Sequence, residues 1–412
     1  MTQETLTVTD NRTGRSFEVP IEDGAVRAAD LTDPFDLAHG HGLTIYDPGF
    51  IHTAACRSQI TTVEIETGTL RHRGYRIEEL CEHATFIELA HLLINGELPT
   101  PPQLDRWTGE IANRKFVHEN VQSFIAGFRY DAAPMVILSA TVGAMSSFYS
   151  DASDVHDDAA RERQVVRLLA KMPTLAAFAF RHSSGRPYIY PVDNLSFAGN
   201  ALSMMFRMSE LQYRPDPLVE RALEVLLMLH ADHEQNASTA AVRAVGSTHV
   251  NPYAAIAAGV AALSGPMRGG AAQGVLTMLR KIGSVDRVPS YLESVKTGDE
   301  RLMGFGHWVY KTHDPRARVM RAQLQELYDH KGPDPLVEIA DELVRVTAQD
   351  EYFVSRQIFP NLDLYSGLTY QAVGIPASMY GVMFAVARSA GWLAQWVEIG
   401  RASCRERVSY HV

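Results

Sequence analysis

Cysteine is scarce: Cys56, Cys81 and Cys404 are the three in a chain of 412 residues. They are too few and too scattered for a disulfide framework or a zinc knuckle, so packed apolar cores must carry stability and a reducing cytoplasm is the expected setting. Positive charge is also in short supply, since 38 Lys and Arg against 48 Asp and Glu leave a formal net charge of -10. Such a surface repels nucleic acid and anionic membranes, and neither is expected as a partner. Met1 to Asp10 lacks a basic-then-apolar pattern, which indicates neither secretion nor organelle import. There is no internal repeat and no low-complexity tract. One long apolar run, Ala377 to Trp396, has about the 20 residues that a bilayer crossing takes. Arg388 near its middle is costly in lipid, so the run is read as a buried core helix whose guanidinium meets a bound carboxylate.

Apolar residues make up 46% of the chain, and its length exceeds what one hydrophobic core usually serves. The first 75 residues are β-rich. Leu6 and Val8, the turn-like Asn11 to Gly14, then Phe17 and Val19 alternate as a hairpin does, and Thr62 to Ile65 with Thr69 and Leu70 flank Thr67-Gly68 as a second one. From Ile77 the spacing turns helical: Phe86, Leu89, Ala90, Leu93 and Ile94 share a face and Gly96 stands as a C-terminal stop. Val165, Leu168, Leu169 and Met172 precede Pro173, and Leu218, Ala222, Leu226 and Leu229 follow Pro217. The expected architecture is mainly α, with a small β-rich N-terminal segment (1–75), a large helical domain (76–280 with 377–398) and a smaller, more charged helical domain (281–376).

Three segments carry candidate chemistry. In Leu229 to Asn236, His230 and His233 lie three apart on one helical face. A zinc site, a helix-end cap and a ligand contact are all open to such a pair, although further metal ligands at recognisable spacing are missing and no metal is expected. In Gly304 to Lys311, followed by Asp314-Pro315-Arg316, the absence of a third glycine and of a preceding strand excludes a dinucleotide loop. The glycines instead let backbone approach a ligand while His307 points at it, and Arg316, next to a Pro that can open a helix, offers a planar fork to a carboxylate. In Phe359 to Gly367, Asp363 precedes a helical run. On its own it reads as an N-cap, with a proton-abstracting carboxylate in a partly apolar setting as the alternative.

Taken together, these segments resemble the citrate synthase family. The resemblance covers roughly Tyr46 to Glu398 and includes Tyr46 to Phe50, His72-Arg73-Gly74, Lys171 to Thr174, Asn251-Pro252 and Phe384 to Arg388. The β-rich start is similar to the bacterial, hexamer-forming branch. The resemblance implies a two-domain helical fold and condensation of acetyl-CoA with oxaloacetate, with no metal and no cofactor beyond the substrates, in a homo-oligomer, dimer or hexamer. It assigns proton abstraction to Asp363, polarisation of the keto group to His307, oxaloacetate binding to His230, His233, Arg316 and Arg388, and a place near the CoA phosphates to Lys311. Tyr149, Arg167 and Lys171 match positions at which NADH-inhibited members bind that nucleotide. Propionyl-CoA, as in 2-methylcitrate synthases, differs by one methylene and is poorly distinguished.

Two departures stand out. After Ala262 to Pro266 the family has a His before two glycines, where this chain reads Met267-Arg268-Gly269-Gly270. Arg268 thus occupies the enol-stabilising position, which leaves reduced activity, an altered substrate or a non-catalytic oxaloacetate- or nucleotide-binding paralogue as readings. Beyond Glu398, residues 399–412 do not resemble the family tail that sends an Arg into a neighbouring subunit, and a junction near Glu398 is expected.

Overall fold

The computed structural model describes residues 4–32, 45–47, 52–209, 213–265, 270–307 and 309–401. It is mainly helical, with eighteen α-helices and five short strands among those residues. Contacts divide the chain into two units, residues 1–57 and 58–412.

The first unit contains the expected hairpin. Thr5–Asp10 and Arg15–Pro20 pair antiparallel, with Leu6 opposite Val19 and Val8 opposite Phe17. The second hairpin belongs to the larger unit. Thr61–Glu64 pairs with Thr69–His72, and a short third strand, Tyr75–Arg76, extends the sheet. The register sets Thr61 directly opposite His72, which matters below.

Local signals set many helix ends in residues 58–412. Phe86–Asn95 begins on a capping box between Thr85 and Glu88 and stops at Gly96, whose φ of 100° only a residue without Cβ adopts cheaply. Pro217–His230 starts on Asp216 with Pro at its first position, and Leu223, Leu226, Leu227 and Leu229 are fully enclosed. The Asp158–Ser183 helix runs straight through Pro173, which breaks the expectation that a proline ends a helix. Residues Val165 to Arg181 are all buried apart from Arg167, so tertiary packing outweighs the one backbone bond that Pro173 cannot make. The apolar run near the C-terminus is the helix Tyr380–Arg401, with Trp392 and Arg388 inside the core. Among the described residues no helix is long and apolar enough to cross a membrane. This helix and Pro217–His230 pack together in the middle of the unit, and Pro315–Lys331 and Leu362–Val373 pack beside the latter.

Candidate active site

The loop carrying His307 and the turn carrying Asp363 are sewn together by backbone. Phe305 and Pro360 form an antiparallel bridge, Gly306 N–H donates to Phe359 O at 2.7 Å, and Asn361 N–H donates to Gly304 O at 2.9 Å. Gly304 sits at φ 80°, and a Cβ there would lie 2.8 Å from Leu364 Cα, so the close approach needs glycine. Asn361 caps the Leu362–Val373 helix by accepting the Asp363 N–H at 3.0 Å. This corrects the local reading of Asp363 as the cap: Asn361 takes that duty two residues earlier. Half-buried, Asp363 lines a narrow cleft with His230, Ser366, Tyr370, Tyr380 and Phe384.

The ring of His307 has a defined tautomer. Its Nδ1 accepts from Val309 N–H at 3.0 Å and Tyr310 N–H at 3.3 Å. Backbone amides only donate, so the neutral ring carries its proton on Nε2 and presents a donor there.

Cationic and imidazole groups collect nearby. Arg316 binds Asp314 in a bidentate pair, Nε to Oδ1 at 3.0 Å and a terminal nitrogen to Oδ2 at 2.8 Å, with both residues buried. Asp314 also caps its own helix through Arg316 N–H and accepts from Leu362 N–H at 3.1 Å, which couples the starts of the two helices. Arg388 Nε donates to His230 O at 2.6 Å, and its guanidinium lies 4.7 Å from the Phe384 ring centroid. His233 Nδ1 lies 3.1 Å from a Glu234 carboxylate oxygen, and its Nε2 lies 3.1 Å from the Tyr310 hydroxyl. His233 Nε2 and the Tyr310 hydroxyl share a hydrogen bond. The His233 and His307 rings meet edge to face, 5.3 Å between centroids.

Burial and the two guanidiniums shape the charges of this site. Burial, then Arg388 and Arg316, holds His230 neutral far below the ordinary imidazole range, and burial with Arg316 does the same to His233. Burial alone would raise Asp314, but the Arg316 charge and hydrogen bonds hold its carboxyl below the usual range. Burial opposes the charge on Arg316, and Asp314 more than restores it. The result is a cluster of fixed cations and neutral rings in an acidic protein, a set of groups that suits a small dicarboxylate.

Comparison with known proteins gives this geometry its context. The family model for the C-terminal domain of citrate synthase matches residues 49–407. The chain is 45% identical over 403 residues to a citrate synthase of Dictyostelium discoideum, covering 96% of this chain and 79% of that protein. It is 46% identical over 404 residues to the peroxisomal citrate synthase of the same organism, covering 96% and 82%. The chain belongs to the citrate synthase family. Among solved structures, citrate synthase from Pyrobaculum aerophilum aligns with TM-score 0.81 at 33% identity over 86% of this chain and 90% of that one. The family member from Thermoplasma acidophilum, solved as a ternary complex with carboxymethyl coenzyme A and oxaloacetate, aligns with TM-score 0.76 at 28% identity over 84% and 90%.

The structure thus brings His230, His233, His307, Arg316, Arg388 and Asp363 into one region, and leaves Lys311 exposed at its edge. His230 and His233 do not converge on a common point: the first ring packs on Phe384 and Tyr370, the second on Tyr310 and His307. Among the described residues no group of three or more His, Cys, Asp or Glu is placed to hold a metal ion. Tyr149, Arg167 and Lys171 also meet, elsewhere. Arg167 pairs with Asp151 at 2.7 Å and lies 4.5 Å from the Tyr149 ring centroid. Lys171, brought down to about 8 by burial and the neighbouring arginines, donates to the carbonyls of Arg114 and Phe116. A nucleotide there would have to compete with these internal partners. Arg268 and residues 402–412 lie outside the described residues.

Asp314, Tyr310, Glu234 and Asp232 were given no role by sequence reasoning. Asp314 carried a usable signal, an Asp-Pro-Arg in which a capping Asp precedes the first-turn Pro. Tyr310 and Asp232 had none, because their partners His233 and Thr61 lie far away in the chain.

Proposed function

We propose that the chain condenses acetyl-CoA with oxaloacetate to give citrate and CoA. Arg316, Arg388 and the His230/His233 wall bind the dicarboxylate, since buried guanidiniums can replace the water that its carboxylates lose. His307 donates its Nε2 proton in a hydrogen bond to the keto oxygen and draws electron density from the carbon to be attacked. Asp363 removes a proton from the acetyl methyl group, and the resulting enol carbon forms the new C–C bond as the keto oxygen takes up a proton. Water then cleaves the thioester, releasing CoA. The observation that supports this reading is the sewn pair of segments, 304–306 with 359–361, which ties the loop of His307 to the turn of Asp363. Closure of the smaller helical region, 281–376, over the thioester is part of the same proposal, as is a place near the CoA phosphates for Lys311. No metal or further cofactor takes part in these steps.

A cytoplasmic homo-oligomer, with the hairpin of Thr5–Pro20 as the mark of the hexamer-forming branch, completes the reading. Self-association is supported by Pro134–Ala144 and Pro252–Leu263, helices apolar on nearly every side that leave Val136 and Ala261 exposed.

Arg268 makes the wild-type reaction slow in this proposal. A guanidinium keeps its proton at working pH and cannot reproduce the single directed donor of a neutral imidazole at the thioester carbonyl. Loss of such a donor costs about a hundred- to a thousandfold in rate. Thiol release with acetyl-CoA and oxaloacetate tests this, with Arg268→His expected to be faster by at least about tenfold. A wild type as fast as Arg268→His would make Arg268 a competent electrophile. Oxaloacetate binding by two turnover-dead proteins would favour the non-catalytic paralogue.

A further inference from the structure

Tyr310 stands between the two imidazoles to which the condensation reading gives separate tasks. It is buried, and so is His233. Its main-chain N–H donates to His307 Nδ1 at 3.3 Å, beside the Val309 N–H at 3.0 Å, and its hydroxyl lies 3.1 Å from His233 Nε2. Its ring centroid is 4.7 Å from that of His307 and 5.6 Å from that of His233, so the three rings form one cluster in which His233 meets His307 edge to face. The contact with His307 is local, three positions back in the same turn. The contact with His233 spans 77 positions and exists only in the fold.

The loop that carries His233 is anchored on both sides of that residue. Gly391 N–H donates to Ala231 O at 3.0 Å, Asp232 Oδ2 accepts from Thr61 Oγ1 at 2.5 Å, and the same hydroxyl lies 2.8 Å from His72 Nδ1. Asn236 Nδ2 donates to His233 O at 2.8 Å, while Asn236 Oδ1 caps the Ala237–Gly246 helix. Glu234, the next residue, sits at φ 29°, a left-handed value that a residue with a Cβ adopts at a cost and that these ties hold in place. Such anchors fix the His233 backbone and leave its side-chain torsions to the contacts of the ring. Those contacts are a Glu234 carboxylate oxygen 3.1 Å from Nδ1, within the same loop, and from across the chain the Tyr310 hydroxyl at Nε2 and the edge of His307. Burial, with Arg316, keeps His233 neutral, and burial pushes the Tyr310 phenol up so that it keeps its proton, which makes the bond one between neutral groups. Whichever partner donates, breaking the bond takes that contact from a buried ring nitrogen.

Resting on the condensation reading above, we propose that Tyr310 is a positioning residue for oxaloacetate: its hydroxyl fixes the His233 ring against His307, so that the dicarboxylate meets both rings already in place. Without that hydroxyl the His233 ring is free to turn about its side-chain torsions, and substrate binding has to order it again. The main-chain N–H of residue 310 still holds His307 in that case, so the consequence falls on oxaloacetate binding before it falls on the polarised keto group. A phenylalanine at 310 keeps the aromatic ring, its packing and the amide, and removes the oxygen alone.

Calorimetry of oxaloacetate binding with wild type, Tyr310→Phe, His233→Ala and the double variant tests this without requiring turnover. Tyr310→Phe should weaken oxaloacetate binding by about threefold to tenfold, the range for one neutral hydrogen bond or one newly ordered side chain. In steady state it should raise the KM for oxaloacetate by a similar factor and leave the KM for acetyl-CoA in place. In the His233→Ala background the same substitution should change affinity by less than about twofold, because a residue that acts through another is silent in its absence. Tighter binding by Tyr310→Phe would overturn the inference and make the hydroxyl a competitor that oxaloacetate displaces. Unchanged binding would show the hydroxyl to be structural only, and an equal loss in both backgrounds would show that it acts without His233. Should Tyr310→Phe not fold, the pair is tested from the other side: His233→Gln, whose amide can still meet the hydroxyl, should keep more oxaloacetate affinity than His233→Leu, and equal losses would sink the proposal. A folded wild type that binds no oxaloacetate would overturn the condensation reading itself, and this inference with it, whereas a wild type that binds without turnover leaves the comparison intact.

Discussion

The side-chain amide of Asn361 donates to the carbonyl of Gly306 at 2.8 Å, tying the loop before His307 to the turn before Asp363. The same side chain accepts the Asp363 N–H and so caps the helix. One residue therefore sets the spacing of two proposed catalytic groups that lie far apart in sequence.

Asn361→Ala removes the cap and the tie at once. Loss of the cap alone should cost about 1 kcal/mol of stability. The looser spacing should lower kcat by about a hundredfold, the order expected for a misplacement near 1 Å, while oxaloacetate affinity changes little. Chemical denaturation and steady-state kinetics separate the two effects. A variant with full kcat would show that the tie is not needed for alignment.

Because Asn361 and not Asp363 caps the helix, the Asp363 carboxylate can be replaced without removing the cap. Asp363→Asn should keep its fold and its oxaloacetate affinity but lose deuterium wash-in at the acetyl methyl group. Exchange at the wild-type rate would take the proton abstraction away from Asp363.

Asp314→Asn breaks the buried pair with Arg316 and should destabilise the protein by roughly 3–5 kcal/mol at neutral pH, because it leaves a buried guanidinium without its anion. The Asp314 carboxyl is depressed in the folded state, so its stabilisation is fully present above the unfolded value near 3.8 and is lost as pH falls through the lower folded value. Urea midpoints measured from about pH 5 down to about pH 2 should fall more steeply below the unfolded value in wild type than in Asp314→Asn. Parallel curves would mean that the pair does not drive the acid transition.

Signals confined to a few neighbouring residues were legible in the sequence. The hairpin now seen at Thr5–Pro20, the Gly96 stop, and the buried apolar helix read over Ala377 to Trp396 follow from alternation, C-terminal glycine chemistry and apolar content. The motifs around His233, His307 and Asp363 could be matched to a family by their order. What their side chains do could not be read in the same way. Asp363 looked like a cap because local chemistry favours an Asp ahead of a helix, and only the backbone path shows that Asn361 reaches the amide first. Pro173 sits inside a helix because the surrounding core supplies more than its missing bond costs.

The amino-acid sequence by itself determined the helical class, the Gly96 stop and the family, since each depends on spacings of a few residues or on the wording of a motif. Tertiary structure alone decided the tautomer of His307, the pairing of Arg316 with Asp314, and the file from His72 through Thr61 to Asp232. The physical reason is that protonation depends on burial and on charges within a few ångströms, and Thr61 and Asp232 are 171 positions apart in the chain.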